Sequence, residues 1–114
     1  MRTDEVYKEY SFNPAWYIAD YYGYESQSRQ LMEEMSELQI AILKLIRFNA
    51  QIKKDFEDKK PLGENLIEEL ADVKICLDQI IYLIGDDKIA EKMRAKINRQ
   101  LKRIKLQEED ENGN

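Results

Sequence analysis

The stretch LMEEMSELQIAIL, residues 31–43, sets Leu31, Met35, Leu38 and Ile42 three or four residues apart, and Leu45 continues the series. That is the period of a helix with one buried stripe. Three acids, Glu33, Glu34 and Glu37, lie inside it. On a wheel of about 100° per residue, centred near Leu31 and Ile42, Glu34 falls roughly 70° from the centre and Glu37 roughly 130°, on the same edge. Glu33 points away from the stripe. One carboxylate therefore sits in the buried arc and a second on its border, and burying a charge is costly unless something pairs with it.

The stretch LIEELADVKICL, residues 66–77, repeats the pattern at a constant offset of 35 residues: Leu31 to Leu66, Glu34 to Glu69, Glu37 to Asp72. Leu66, Leu70, Val73, Leu77, Ile80 and Ile84 form its stripe, and Glu68 matches the outward Glu33. Two such helices packed antiparallel about a near-twofold axis bring Glu34, Glu37, Glu69 and Asp72 together. Like charges at that range repel unless compensated. The chain has no histidine, and Lys44 is the only basic residue on that edge. The simplest compensation is a hard divalent cation, Mg²⁺ with Mn²⁺ as a substitute, which prefers carboxylate oxygen.

Outward from these two helices the chain reads as helix throughout. Asn13-Pro14 predicts an N-cap followed by proline at the first helical position, opening a short helix that Gly23 ends. Ser26 or Ser28 is the expected cap of the second helix, which runs to about Asn49. A polar connection with Pro61 and Gly63 leads to a third helix from about 63–64 to Ile84, stopped by Gly85. Asp86 or Asp87 caps a fourth, running to about Gln107. The fold class expected is all-α: an antiparallel bundle of about four helices, one domain over residues 1–106, with residues 1–12 as an N-terminal arm and 107–114 as a disordered acidic tail.

Composition removes several functions. Without histidine there is no Ser-His-Asp or Cys-His catalysis, no His-ligated zinc and no Glu-x-x-His di-iron bundle. A net charge of −5 argues against a nucleic-acid polymer as partner. No apolar run is long enough to span a membrane, and the charged, aromatic N-terminus is unlike a signal peptide. A lone cysteine, Cys76, forms no internal disulfide and fits a reducing compartment, so a cytoplasmic location is expected. Between Lys88 and Lys105 Glu91 is the only acid among many Lys and Arg.

Taken together, Glu33-Glu34-Met35-Ser36-Glu37 and Glu69-Leu70-Ala71-Asp72 resemble the signature of the MazG-type nucleoside triphosphate pyrophosphohydrolases, Glu-Glu-x-x-Glu on one helix and Glu-x-x-Asp on the next. The likeness covers about residues 20–105; the gap from Glu37 to Glu69 is longer than in the compact family pattern. The resemblance implies an all-α homodimer or homotetramer with Mg²⁺ held by Glu34, Glu37, Glu69 and Asp72. The implied reaction splits a nucleoside triphosphate between the α and β phosphates into a monophosphate and pyrophosphate. Mg²⁺ there would invert the field that otherwise repels a triphosphate. Glu37 and Glu33 are the candidates for the catalytic proton acceptor.

The family also carries a Lys-x-x-x-Asn-x-x-Arg set on the following helix. Lys96, Gln100 and Arg103 match it with Gln for Asn, and a shifted register gives Lys92, Lys96 and Arg99. Such spacing puts the cations on one helix face, suited to phosphate oxygens, though a solvated basic face has the same pattern. Among the aromatics Trp16 is the candidate for stacking on a base, against the plainer reading of core or interface. Surplus apolar residues, Ile40, Leu43, Ile67 and Ile75, point to a homo-oligomer. The competing readings are a non-catalytic helical interaction protein with acidic surface ridges, and a metal-binding protein without turnover.

Overall fold

Asn13 starts the first helix as its side chain requires. Its Oδ1 accepts the Ala15 N–H at 3.0 Å, its carbonyl accepts the Trp16 N–H at 3.1 Å, and Pro14 follows where a helix needs no N–H donor. The structure, a computed structural model, describes residues 13–47 and 61–112. Three helices account for nearly all of them: α1, Pro14–Arg47; α2, Pro61–Ile84; and α3, Asp87–Asn112. Among the described residues there is no strand. The arm expected over residues 1–12 and the connection before Pro61 lie outside them.

Gly23 divides α1. Its φ of 87° and ψ of 170° are not helical, so the chain turns there and resumes as helix on the far side. Ser26 and Ser28 lie inside that helix rather than capping it, because Gly23 itself makes the break. A Cβ on Gly23 would meet nothing within 4 Å, so the backbone angle and not space demands glycine. Gly23→Ala is expected to lower stability by about 1–3 kcal/mol, read as a lower urea midpoint.

α2 begins at Pro61, earlier than the spacing of Gly63 and Glu64 suggests. Proline's fixed φ suits the first helical position, so the helix starts at it. Gly85, at φ 108°, ends α2 in the left-handed region.

Contacts between α1 and α2 run in opposite directions along the chain. Gln27 meets Gln79, whereas further along α1 Ala41 and Leu45 meet Leu66, with Leu38 and Leu62 packed beside them. The pair is antiparallel. Its seam differs from the stripe drawn on the wheel. Leu31, Glu34, Leu38, Ala41 and Leu45 are buried or half-buried, as are their counterparts Leu66, Glu69, Val73, Cys76 and Ile80. Met35 and Ile42, placed near the centre by the wheel, are exposed, and so are Leu70 and Leu77. The helices face each other along the lines through Glu34 and Glu69, because small Ala41 and Cys76 on those lines allow close approach.

One buried amide ties the segment before Gly23 to α2. Gln79, 1% exposed, accepts from Gln27 Nε2 at 2.6 Å and donates to the Ala15 carbonyl at 3.1 Å. Nearby, Tyr82 donates its hydroxyl to Asp20 at 2.7 Å and stacks its ring on Trp16, with centroids 4.9 Å apart and planes at 8°. Gln79→Leu leaves the Gln27 amide and the Ala15 carbonyl without these partners. A loss of about 1–3 kcal/mol is expected in denaturant unfolding.

The chain divides into two compact units, Met1–Leu83 and Ile84–Asn114, and α3 belongs to the second. Its first intrahelical bond runs from the Ala90 N–H to the Asp86 carbonyl at 2.8 Å, which places Asp86 at the cap. The helix continues through the acidic segment to Asn112, beyond the end near Gln107 expected from the charge run. No Gly or Pro interrupts it before Gly113, and Glu is a good helix former. Ile89, Met93, Ile97, Leu101 and Ile104 recur every three or four residues along one side of α3.

Candidate metal centre

The antiparallel seam delivers the acids to one place. Glu34, Glu37 and Glu69 each offer a carboxylate oxygen, and these three oxygens all lie within 4.8 Å of one another. Asp72 joins them through Glu34. The Glu34 charge raises the Asp72 carboxyl, as the Glu37 charge raises that of Glu69. The repeat explains the pattern: the operation that carries Glu34 onto Glu69 also carries Asp72 onto Glu37. One facing pair is the image of the other.

Loss of hydration in the seam raises the Glu69 carboxyl above its ordinary value, and negative Glu37, Glu34 and Asp72 raise it further. Loss of hydration followed by negative Glu34 raises Asp72 in the same direction, although Asp72 keeps an exposed outer side. Burial also pushes up the Cys76 thiol, with Glu34 and Asp72 beside it adding to the effect. That thiol is a small buried group in the seam and not a reactive one.

Among the described residues, two buried side-chain oxygens lack any partner. Oε2 of Glu34 and Oε2 of Glu69 are buried and accept no hydrogen bond. Glu34 Oε1, in contrast, accepts from Gln30 Nε2 at 2.7 Å, which fixes that carboxylate. The orphaned atoms belong to the two positions that the 35-residue repeat makes equivalent. Buried polar atoms in proteins nearly always find a partner, so a matched pair of exceptions calls for an explanation. No family model, curated protein or solved structure matches the chain. The explanation therefore has to come from the residues themselves.

The donor set fits a hard cation. It is all carboxylate oxygen, carries no soft ligand, and has unfilled lone pairs directed into the seam. Glu33, the outward member of the motif, lines an open groove with Tyr22, Glu25, Ser26, Arg29 and Gln30. Arg29 in that groove is already paired with Glu25 at 2.7 Å. Glu68, its counterpart on α2, is exposed.

The other candidates lie elsewhere in the chain. Lys96, Arg99, Gln100 and Arg103 are exposed on neighbouring positions of α3, in the second unit. Trp16 lies with one ring face against Tyr82, so a single face remains for any further stacking. The role of Gln79 has no warning in the hydrophobic pattern, where a glutamine reads as surface.

Proposed function

We propose that the chain is a Mg²⁺-dependent nucleotide pyrophosphohydrolase of the MazG type, acting as a homodimer or homotetramer on a nucleoside triphosphate and working in the cytoplasm. The observation that carries this reading is the pair of buried, unpartnered oxygens on Glu34 and Glu69, in a cluster with Glu37 and Asp72. Glu34, Glu37, Glu69 and Asp72 would hold the ion. When bound, Mg²⁺ or Mn²⁺ supplies positive charge against the phosphate oxygens and against the charge that develops as the α–β bond breaks.

The rest is the work of the chain. Gln30 holds the Glu34 carboxylate in one rotamer, so the ligand oxygen is preorganised rather than recruited. Glu37 is the most exposed member of the three-oxygen cluster, and Glu33 borders the neighbouring groove. Either would accept a proton from the attacking water. Lys96 and Arg103 on α3 are assigned to the departing phosphates, with Arg99 and Gln100 beside them. Trp16 is assigned to the base through its free face.

The test is a screen of the common NTPs and dNTPs for pyrophosphate release, with and without Mg²⁺. The proposal expects pyrophosphate and a monophosphate from at least one of them, only with the metal present. Release from none would leave the interaction-protein reading, which the extent of exposed apolar surface on α1 and α2 independently favours. No helix among the described residues is long and apolar enough to cross a membrane.

A further inference from the structure

Gln30 joins the carboxylate cluster to the groove beside it. Its Nε2 donates to Glu34 Oε1 at 2.7 Å, and the same side chain lines the opening on α1 with Tyr22, Glu25, Ser26, Arg29 and Glu33. These residues recur three and four positions apart, on the flank of α1 that also carries Glu37. The groove holds about 430 Å³, within the range of about 300–1,000 Å³ that small-molecule sites occupy. Apart from Tyr22 its lining is polar or charged, so it suits a charged, hydroxylated ligand and not an apolar one.

Arg29 is the cation of this groove. The other basic residues described within Met1–Leu83 are Lys44, Arg47 and Lys74. Lys74 is paired with Asp78 at 3.1 Å, and Lys44 and Arg47 lie in the last turn of α1, beyond Glu37. Arg29 comes five residues before Glu34, about 7.5 Å along the helix axis. Its guanidinium reaches back to Glu25, at 2.7 Å. The two side chains of that pair are 72% and 80% exposed, and an exposed ion pair four residues apart on a helix contributes little. A phosphate offers the same guanidinium a stronger, two-pronged contact. Arg29 can therefore exchange Glu25 for a phosphate at small cost.

We propose that the groove receives the nucleoside monophosphate half of the substrate, and that Arg29 holds the phosphate that stays with the nucleoside. This assignment rests on the pyrophosphohydrolase reading and supplies what that reading lacks. Lys96 and Arg103 are assigned there to the departing phosphates, which leaves the retained phosphate with no side-chain cation. A substrate whose α–β bond lies over Glu34, Glu37 and Glu69 must lead its nucleoside away from the cluster. The groove gives it a path from Glu33 toward Tyr22, and the retained phosphate on that path meets Arg29. The displaced Glu25 carboxylate returns to water, to which it is already largely open.

Equilibrium dialysis of the full chain at pH 7 with Mg²⁺, against the common ribo- and deoxyribonucleoside monophosphates, tests the assignment. At least one should bind, and Arg29→Gln should weaken it at least about 10-fold, the scale of losing a charge-assisted contact. Glu25→Gln should act the other way and tighten it, because it removes the competing carboxylate. Pyrophosphate binding should be the same in the native chain and both variants. So should Mn²⁺ uptake, since neither residue is a ligand of the ion. Both side chains are exposed, so circular dichroism should find the helices unchanged. Monophosphate binding that is absent while Mn²⁺ is taken up, or that is equal in the native chain and Arg29→Gln, overturns the assignment and leaves the metal reading standing. Weaker binding in Glu25→Gln as well as in Arg29→Gln overturns it too, since the pair would then be needed intact. Absence of both monophosphate binding and Mn²⁺ uptake overturns the assignment together with the reading beneath it.

Discussion

Replacing Glu69 by glutamine is expected to abolish Mg²⁺-dependent pyrophosphate release while leaving the helices intact. The change keeps the shape of the side chain and removes its charge. Glu69 supplies one of the three clustered oxygens, and its second oxygen is a buried orphan, so glutamine leaves the cation short of a ligand on the α2 side. A loss of at least about 100-fold in rate is expected, the scale on which removing one charge-stabilising group acts in a water-excluded site. The fold should not suffer. In the metal-free chain ionised Glu69 is crowded by Glu37, Glu34 and Asp72, which is why its carboxyl is raised. An uncharged amide removes that repulsion, so thermal unfolding of metal-free Glu69→Gln should occur at or above the native temperature. Loss of activity with a lower unfolding temperature would instead assign Glu69 a structural role.

The second large effect is the opposed action of acid and metal on stability. Glu69 and Asp72 hold their protons more tightly in the folded chain than at their ordinary values of 4.5 and 3.8. The stability they contribute is therefore fully present below those ordinary values and is lost as pH rises through the raised folded values. Without metal the chain should become less stable from this source between pH 4 and neutrality. A divalent cation acts the other way. It binds the folded, deprotonated cluster, so its stabilisation is largest at neutral pH and fades as acid protonates the ligands. At about 100-fold excess over Kd, Mg²⁺ or Mn²⁺ is expected to raise Tm by about 10 °C at pH 7. Melting curves at pH 5 and pH 7, with EDTA and with metal, check both signs. A metal shift equal at the two pH values would contradict the carboxylate cluster as its source.

These effects rest on residues whose convergence could be read before any coordinates. The 35-residue offset between the two acidic motifs already implied a near-twofold pairing, and Glu34, Glu37 and Glu69 do meet. The Asn13-Pro14 start was legible because capping is local chemistry. The orientation of the seam was not. Met35 and Ile42 are as apolar as Leu38 and Leu45, and a wheel cannot tell which of two adjoining apolar arcs faces the neighbouring helix. That choice depends on how closely Ala41 and Cys76 let the backbones approach, which is a property of the pair and not of either helix.

Gln79 shows a different limit. Its burial follows from the turn at Gly23, which brings the Ala15 carbonyl within 3.1 Å of it. No periodicity in α2 records where the segment before Gly23 will land. The stacking of Trp16 on Tyr82 has the same origin, a long-range contact between residues far apart in sequence. Local signals therefore fixed which residues could form helices, while the turn decided which polar groups became core.

The account depends most directly on whether the clustered acids take up a hard cation. Titration of the metal-free chain with Mn²⁺ at pH 7, followed by electron paramagnetic resonance of the free ion, measures this without substrate. The account predicts saturable uptake by the native chain that weakens at least about 10-fold in Glu34→Gln and in Glu69→Gln alike, because the repeat makes the two positions equivalent. Uptake that is absent in the native chain, or unchanged in both variants, would contradict it.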